Sequence, residues 1–303
     1  MIIFKRLQPC SLEGEFNALI SSRLRTYGNP FNPSIVRLGI NGNYTITFRA
    51  FGEIKSRPFR AYLGTYEQGR LDIIDLSAHM EGYGIKNVAD PKLLVSDGEV
   101  WCTFNTGYVK GGYNEIYLMQ ISPVMGTPRK VIFSARQATE KNWAFFRRAG
   151  VWHCIYQVAS LIVLKERPLS DPSSIEFEVD FECASRVGRN LSIGTQLCES
   201  PLGLHLIAHE KFHVRRHRMY FGKLLGFDYE RRAIGVVDRR LLIHNYRSLL
   251  RAKERWNPRL ISCTYFSGLV YDANQQKHIV AYGINDVDFN FSTLAIKRPV
   301  TWK

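Results

Sequence analysis

The sequence lacks any apolar run long enough to cross a membrane as a helix. Its longest apolar stretch, residues 154–164, is interrupted by Gln157 and Ser160 and is shorter than the roughly 18 residues that a spanning helix needs. The first residues, Met1 to Arg6, are too short and wrongly ordered for a secretion signal. We therefore expect a soluble, cytoplasmic protein.

Paired cysteine spacings are also absent, which argues against a disulfide framework or a zinc ribbon. The six cysteines are scattered along the chain, and several lie in apolar, strand-like runs: Cys10, Cys102, Cys154, Cys183, Cys198 and Cys263. Such cysteines are typically buried, reduced thiols, and they indicate a reducing compartment.

One literal metal pattern, His-Glu-x-x-His, spans His209 to His213. Zinc chemistry with this pattern needs both histidines on one face of a helix. Leu204 to His209 alternates apolar and polar residues as a strand does, and no helix start precedes it. We therefore expect neither a metal nor any other cofactor.

Acidic residues are scarce relative to basic ones, because 41 Lys and Arg face 27 Asp and Glu, for a formal net charge of +14. This excess favours anionic partners, such as phosphorylated sugars, nucleotide-sugars, an anionic membrane face or nucleic acid. The basic run Lys211 to Arg218 is first interpreted as a solvated face. No nucleic-acid motif accompanies it, so specific nucleic-acid binding is not expected; anionic donors, lipid-linked acceptors and anionic glycans are the remaining candidates.

Helical patterns are scarce, and a repeated β-hairpin takes their place. Hairpin turns are predicted near positions 42, 98, 150, 203 and 274, which are 56, 52, 53 and 71 residues apart. A β-unit of about 50 residues is typical of a propeller with four-stranded blades, whereas a β-sandwich usually has shorter and less regular intervals. The sequence therefore predicts an all-β, five-bladed β-propeller as a single domain over residues 1–303, with residues 1–28 as an N-terminal strand or extension.

The second hairpin presents a carboxylate at the start of its first strand. Asp90 precedes Pro91, which restricts it, and we expect Asp90 to be extended. Asp97-Gly98 is a two-residue turn signal. In a propeller, the starts of the inner strands converge on one channel, so polar residues there share a pocket. The candidates are Asn32, Arg49, Asp90, Lys92, Lys141, Asn142, Thr195, His209 and Asp286.

Five motifs give the chain a family resemblance that spans residues 29–296. They are, in chain order, Asn32-Pro33-Ser34-Ile35 with Thr47-Phe48-Arg49, then Ala89-Asp90-Pro91-Lys92, Glu140-Lys141-Asn142-Trp143, Tyr220 to Asp228, and Ser267-Gly268-Leu269-Val270 with Ala281 to Asp286. This order resembles glycoside hydrolase family 130, the β-mannoside phosphorylases and β-1,2-mannosidases, and the related propeller mannosyltransferases of glycosyltransferase family 108.

The resemblance implies a role for each candidate residue. Asp90 matches the catalytic acid of an inverting reaction. Arg49, Lys92 and Lys141 would hold an anion. Sugar contacts would come from the others: Asn32, Asn142, Trp143, Tyr156, His209 and Asp286. The family's acid before the Asp is Ala89 here, its Arg after it is Lys92, and its His-Arg-Pro segment reads Tyr156-Gln157-Val158.

Three function classes follow from these observations. The first is an enzyme that makes or transfers a β-mannoside-type bond, using a glycan and either an activated sugar donor or phosphate. The second is an inverting hydrolase, which needs a base that Glu140, Glu199 or Asp286 could supply. The third is a catalytically silent sugar-binding propeller.

The apolar N-terminus leads to a stability prediction. Met1 to Leu7 is expected to close the last blade by pairing with the C-terminal strand, and its deletion should then lower the thermal midpoint. An unchanged midpoint in a thermal melt of the truncated chain would contradict this role.

Overall fold

The computed structural model describes residues 2–10, 22, 26, 30–38, 43–51, 59–140, 142–168, 171–249, 257–297 and 300. Within these ranges the chain is nearly all β, with one short α-helix, α1, and a single-turn 3-10 helix at Tyr246–Leu249. The predicted all-β class is confirmed. No helix in these ranges is long and apolar enough to cross a membrane.

The first sheet is a four-stranded antiparallel meander. Its strands are β2 (Phe31–Leu38), β3 (Asn43–Phe51), β4 (Phe59–Glu67) and β5 (Arg70–Asp75). Helix α1 (Leu76–Glu81) follows β5, and the Asp75 carboxylate caps it by accepting a hydrogen bond from the Ala78 backbone N–H at 2.9 Å. Helix α1 was not predicted from the sequence, because a six-residue helix gives little periodic signal.

The next eight strands form two more antiparallel meanders. The first contains β6 (Ala89–Ser96), β7 (Glu99–Asn105), β8 (Ile116–Ser122) and β9 (Arg129–Ile132). The second contains β10 (Ala144–Arg148), β11 (Val151–Gln157), β12 (Ser160–Arg167) and β13 (Ser174–Ala184). Their outer strands β9 and β13 pair in parallel, which joins them into one eight-stranded sheet.

The remaining strands make a branched sheet. Its members are β1 (Phe4–Arg6), β14 (Leu191–Ile193), β15 (Cys198–Ser200), β16 (Gly203–Val214), β17 (His217–Asp228), β18 (Ala233–Val236), β19 (Leu241–Ile243), β20 (Leu260–Asp272), β21 (Lys277–Ile284) and β22 (Asp288–Leu294). A short parallel pairing of β17 with β20 connects the meander β20–β22 to the strands before it.

Antiparallel pairing occurs at each predicted hairpin position, although the turn at 41–42 lies outside the described residues. The predicted strand over 194–197 is wrong, because this segment is the break between β14 and β15. The backbone N–H groups of Gly194 and Thr195 both donate to the Ile207 carbonyl, at 2.9 and 3.0 Å. This shared acceptor marks a bulge that interrupts the ladder.

The N-terminal strand has a different partner from the predicted one. β1 pairs in parallel with β19, and the Leu7 N–H donates to the Ile243 carbonyl at 2.8 Å. Only the residues after it reach β22, where Pro9 forms a bridge with Ser292. The reason is that Phe4 packs beside Phe221, at a ring distance of 5.0 Å, in a cluster with Leu241 and Ile243.

Apolar clusters fill the space between neighbouring sheets. One of them joins Ile35 and Phe48 of the first sheet to Ile279 and Phe291 of the last, so the two ends of the chain share a core. All six cysteines lie in the described ranges without a disulfide, and Cys102, Cys154, Cys198 and Cys263 are buried, in agreement with the prediction of buried thiols.

A buried ion pair also joins the first sheet to the last. The Arg37 guanidinium on β2 lies 2.5 Å from the Asp272 carboxylate at the end of β20, and the two side chains are 6% and 0% exposed. The same Asp272 oxygen accepts hydrogen bonds from the backbone N–H groups of Asn274 and Gln275. The pair therefore fixes the β20–β21 turn and docks it onto β2.

Replacing one partner of this pair should destabilise the fold. Arg37→Met leaves a buried carboxylate without its cation, which we expect to lower the free energy of unfolding by about 3 kcal/mol. Urea denaturation measures the effect. The double variant Arg37→Met with Asp272→Asn removes the stranded charge and should recover part of the loss; a wild-type midpoint for the single variant would show that the pair does not contribute.

Candidate functional site

A cavity of about 330 Å³ lies beside the first residues of β2, β6 and β20. Six predicted site residues line it, namely Asn32, Arg49, Asp90, Asn142, His209 and Asp286. They come from widely separated parts of the chain, so only the tertiary fold brings them together. The cavity has the size at which small-molecule sites begin.

Asp90 is held in a left-handed backbone conformation, with φ of 48°. The prediction of an extended Asp90 is therefore wrong. The pairing of β6 with β7 shifts register between Ala89 and Lys92, and this bulge turns Asp90 out of the ladder. Asn32 repeats the arrangement before Pro33, with φ of 51° and a register shift between Phe31 and Ser34. Asp and Asn tolerate this conformation better than most residues.

Asp286 is a third cavity residue with positive φ, at 59°. The preceding Asn285, with φ of 55°, clamps the turn: its side-chain oxygen accepts from the Cys263 N–H at 2.8 Å, and its own N–H donates to the Cys263 carbonyl at 3.1 Å. Strained backbone of this kind concentrates at binding and catalytic sites. Its presence at Asn32, Asp90 and Asp286 supports a functional role for this cavity.

Arg49 is fixed next to Asp90. Its Nη1 lies 3.1 Å from Asp90 Oδ1, and its guanidinium carbon lies 5.2 and 4.7 Å from the ring centres of Phe31 and Phe59. Asp90 is 5% exposed, so the ion pair lies mostly out of water. The aromatic rings and the carboxylate together hold the Arg49 guanidinium in one place.

Asn32 lies in the wall of the same cavity and packs against Gly283. Its side-chain Oδ1 is buried and has no hydrogen-bond partner among the described residues. It approaches so closely to Gly283 that a Cβ there would lie 1.9 Å from the oxygen. Only glycine at position 283 leaves room for Asn32 to keep this position.

His209 and Tyr265 form a stacked pair in the cavity wall, with ring centres 4.7 Å apart. His209 Nε2 accepts a hydrogen bond from the Phe266 N–H at 2.8 Å, which assigns the ring proton to Nδ1. Burial, together with the nearby charges of Asp90 and Asp286, raises the pKa of Tyr265 well above its usual value, so its hydroxyl stays protonated. The segment from His209 to His213 lies on strand β16 rather than on a helix, as its alternation predicted.

Lys92 does not line the cavity; it is 1% exposed and lies among the inner strands. Its ammonium group donates to Asn142 Oδ1 at 2.8 Å and to the Gly194 carbonyl, and it lies 5.6 Å from the centre of the Tyr265 ring. These contacts link β6 to the segments before β10 and after β14. Lys92 therefore positions Asn142 instead of presenting its charge to the cavity.

A second cavity, of about 360 Å³, shares Asn142, Ser192 and Lys211 with the first. The predicted residues Trp143 and Tyr156 line this one. Glu140 accepts hydrogen bonds from Trp143 Nε1, at 3.1 Å, and from the Tyr156 hydroxyl. Burial and this carboxylate raise the pKa of Tyr156. Trp143 is 3% exposed, so its ring has little surface on which a sugar could stack.

The other candidates are placed elsewhere. Thr195 is buried and accepts a hydrogen bond from the Ile207 N–H at 2.9 Å, which makes it a structural residue. Glu199 is exposed on β15 and lines neither cavity. Lys141 lies outside the described residues.

Several cavity residues were missed by the sequence analysis, in particular Lys211, Arg218 and Tyr220. The two cations lie 5.9 and 6.0 Å from the centre of the Tyr220 ring. Lys211 and Arg218 belong to the basic run that the sequence shows, but the order of residues in that run did not reveal which side chains face the cavity. Phe31, Phe59 and Tyr265 were missed because aromatic residues in strands usually belong to the core.

Lys92 leads to a test that separates a structural role from substrate contact. Lys92→Met leaves two acceptors without their donor, and we expect a loss of about 2 kcal/mol in the free energy of unfolding. The exposed Lys86→Met is the control and should have no effect. Wild-type stability of Lys92→Met in urea denaturation would contradict the positioning role.

The fold is shared with carbohydrate-active enzymes of known structure. One is a glycoside hydrolase described within the GH130 family of mannoside phosphorylases and targeting β-1,2-mannosidic linkages; its TM-score is 0.57 at 13% identity, covering 91% of this chain and 87% of the other. The mannose phosphorylase MPT-4 from Leishmania mexicana gives 0.55 at 13% identity, covering 99% and 94%. The GDP-Man-dependent mannosyltransferase MPT-1 from the same organism gives 0.55 at 12%, covering 100% and 95%.

No protein-family model matches the chain, and neither does any curated sequence. At identities this low the likeness concerns the fold. It confirms, at that level, the resemblance that the five motifs predicted. Over nearly its whole length, the chain is similar in fold to GH130 mannoside phosphorylases and to a mannose phosphorylase and a mannosyltransferase from Leishmania.

Proposed function

We propose that the chain is a carbohydrate-active enzyme that makes or transfers a β-mannoside-type bond by inverting single displacement. The observation that carries the proposal is the buried Asp90–Arg49 pair in a cavity that Lys211 and Arg218 also line. The activities of the similar structures, phosphorolysis, mannosyl transfer and mannoside hydrolysis, agree with a site of this kind.

We also propose that the sheets are five blades of one propeller domain around this cavity. Side chains connect the inner strands in a closed series. Thr47 Oγ1 donates to the Pro91 carbonyl, Lys92 to Asn142, Gln196 Nε2 to the Trp143 carbonyl, the Phe266 N–H to His209, and Ser267 Oγ to the Pro33 carbonyl. Five links that return to their starting sheet are what a five-bladed ring requires.

Asp90 is assigned the proton transfer. In the ion pair with Arg49 it is a carboxylate, the form that accepts a proton. As the acceptor hydroxyl oxygen attacks the anomeric carbon, its proton passes to Asp90, directly or through a sugar hydroxyl. The bond from that carbon to the donor's phosphate oxygen breaks, and the phosphate leaves with the electron pair. In the reverse, phosphorolytic direction, protonated Asp90 returns the proton to the glycan oxygen.

The remaining charged and polar residues of the cavity are suited to bind the two parts of an activated sugar, its phosphate and its sugar ring. Lys211 and Arg218 carry the positive charge that a departing phosphate needs. The carboxylate of Asp286 can accept hydrogen bonds from sugar hydroxyls. Phosphate and sugar would then be held from different walls of one cavity.

An inverting hydrolase is the second candidate, since Asp286 lines the same cavity as Asp90. Hydrolysis needs a base that activates water. Glu140 is engaged by Trp143 and Tyr156 and lines the neighbouring cavity, and Glu199 is exposed elsewhere. Asp286 is therefore the base candidate for that reaction.

Product analysis separates the function classes. The protein is incubated with mannose 1-phosphate, nucleotide-mannose and β-mannosides, with and without phosphate. New glycan formed only from an activated donor supports transfer, and sugar phosphate formed from a mannoside with phosphate supports phosphorolysis. Free mannose without phosphate would establish the hydrolase, and binding without turnover would establish a silent sugar-binding protein; either result would overturn the proposal.

Asp90→Asn should reduce kcat at least about 100-fold, because the amide cannot exchange the proton. The fold should persist, since asparagine also tolerates the left-handed conformation. Asp97→Asn, in the turn of the same hairpin and likewise at positive φ, is the matched control and should keep full activity. A fully active, folded Asp90→Asn enzyme would remove Asp90 from the mechanism.

A further inference from the structure

The hairpin of β16 and β17 extends past the cavity as a basic arm, defined here as residues 211–218. Each of its strands has 12 residues, and their pairing continues from Lys211 opposite Tyr220 to Val214 opposite His217. Lys211 and Arg218, at the two ends of the arm's sequence, line the cavity. The tip of the arm, which lies between these two residues, is therefore at the cavity mouth. It extends about 10 Å beyond Lys211, because three residues of a strand rise by about 3.3 Å each.

The tip of the basic arm is exposed and positively charged. All five residues from His213 to His217 are exposed, and they include Arg215 and Arg216. Arg215 occupies the left-handed position of the turn, with φ of 55°. This geometry presents two guanidinium groups and two imidazoles side by side at the end of a rigid hairpin.

The three arginines of the arm have no compensating carboxylate within the described residues. Arg215, Arg216 and Arg218 form no ion pair there, and the one acidic residue beside them on β16, Glu210, pairs with Lys223 at 3.2 Å. Some exposed arginines elsewhere have partners, such as Arg70 with Asp72, and others, such as Arg239, form no ion pair among the described residues. Clustered like charge is unfavourable by itself, so its position at a cavity mouth points to an anionic ligand.

The basic surface continues beside the arm toward the second cavity. Arg189 lines that cavity together with Lys211, and the Lys211 N–H donates to the Asn190 carbonyl at 3.1 Å, which ties the Arg189 segment to the arm. Arg189 also lacks an ion pair within the described residues. A ligand leaving the first cavity past the arm would therefore meet positive charge on both sides.

We propose that the basic arm docks a glycan that carries phosphate or carboxylate groups, while the terminal sugar of that glycan enters the cavity beside Asp90. This inference rests on the proposed function and narrows its glycan substrate to an anionic one. The arm bears no exposed aromatic ring, since its Phe212 is only partly exposed, so it lacks the stacking platform that single-stranded nucleic acid uses. Its one exposed apolar side chain, Val214, provides too little apolar surface for insertion into a membrane.

The test compares binding of two fluorescent mannan oligosaccharides of equal length, one phosphorylated and one neutral, by fluorescence anisotropy. The phosphorylated chain should bind at least tenfold more tightly at 50 mM salt, and the difference should shrink strongly at 200 mM as the charges are screened. The double variant Arg215→Gln with Arg216→Gln should abolish the preference and leave the neutral chain's affinity unchanged.

The matched control is Arg231→Gln with Arg239→Gln, which removes the same two charges outside the arm and should keep the preference. Equal affinity for both oligosaccharides, or a preference that survives the arm variant, would overturn the proposal. So would an arm-dependent affinity for GDP-mannose or for vesicles of 30% phosphatidylserine that exceeds the affinity for the phosphorylated chain.

The outcomes for the arm and for catalysis are separable. Binding is measured without turnover, so it applies to the wild type and to Asp90→Asn alike. If product analysis finds no reaction while salt-dependent binding persists, the proposed function fails and the arm still docks an anionic glycan. If turnover occurs without discrimination between the two chains, the function stands and the arm proposal fails.

Discussion

The buried contacts of Lys92 are the constraint on which the candidate site depends. One ammonium group, 1% exposed, satisfies the Asn142 side chain and the Gly194 carbonyl on two different inner segments. A flexible side chain from β6 thus connects two segments to which β6 is not joined by strand pairing in the described residues. Asp90 lies two residues before Lys92 on the same strand, so the contacts that fix Lys92 also position Asp90.

Charge is arranged in layers outward from that anchor. The buried layer contains Lys92, the next contains the Asp90–Arg49 pair, and the outer layer contains Lys211 and Arg218 beside Tyr220. The middle layer carries the Asp90 carboxylate, which lies among these cations. An anion entering the cavity would therefore meet attraction before it meets Asp90, which favours ordered entry of a charged substrate.

The sequence predicted the strand pairing well, because hairpin turns and alternation are local signals. It also placed Asn32, Arg49, Asp90, Asn142, His209 and Asp286 at one cavity, since repeated positions in repeated units meet. It could not distinguish Lys92, which points into the protein, from Lys211, which points into the cavity. It also missed the left-handed Asp90, because the bulge that produces it is a tertiary property of the β6–β7 pairing.

The twin bulges have a consequence for recognising related chains. Asn32-Pro33 and Asp90-Pro91 each combine a left-handed acidic or amide residue with a following proline, 58 residues apart. Few residue types tolerate both a left-handed backbone and a following proline. Substitution at these two dipeptides is therefore narrowly limited, even where the sequences of the surrounding strands vary freely. A pair of Asn/Asp-Pro dipeptides at one unit's spacing is therefore a compact signature by which distant sequences with this cavity could be detected.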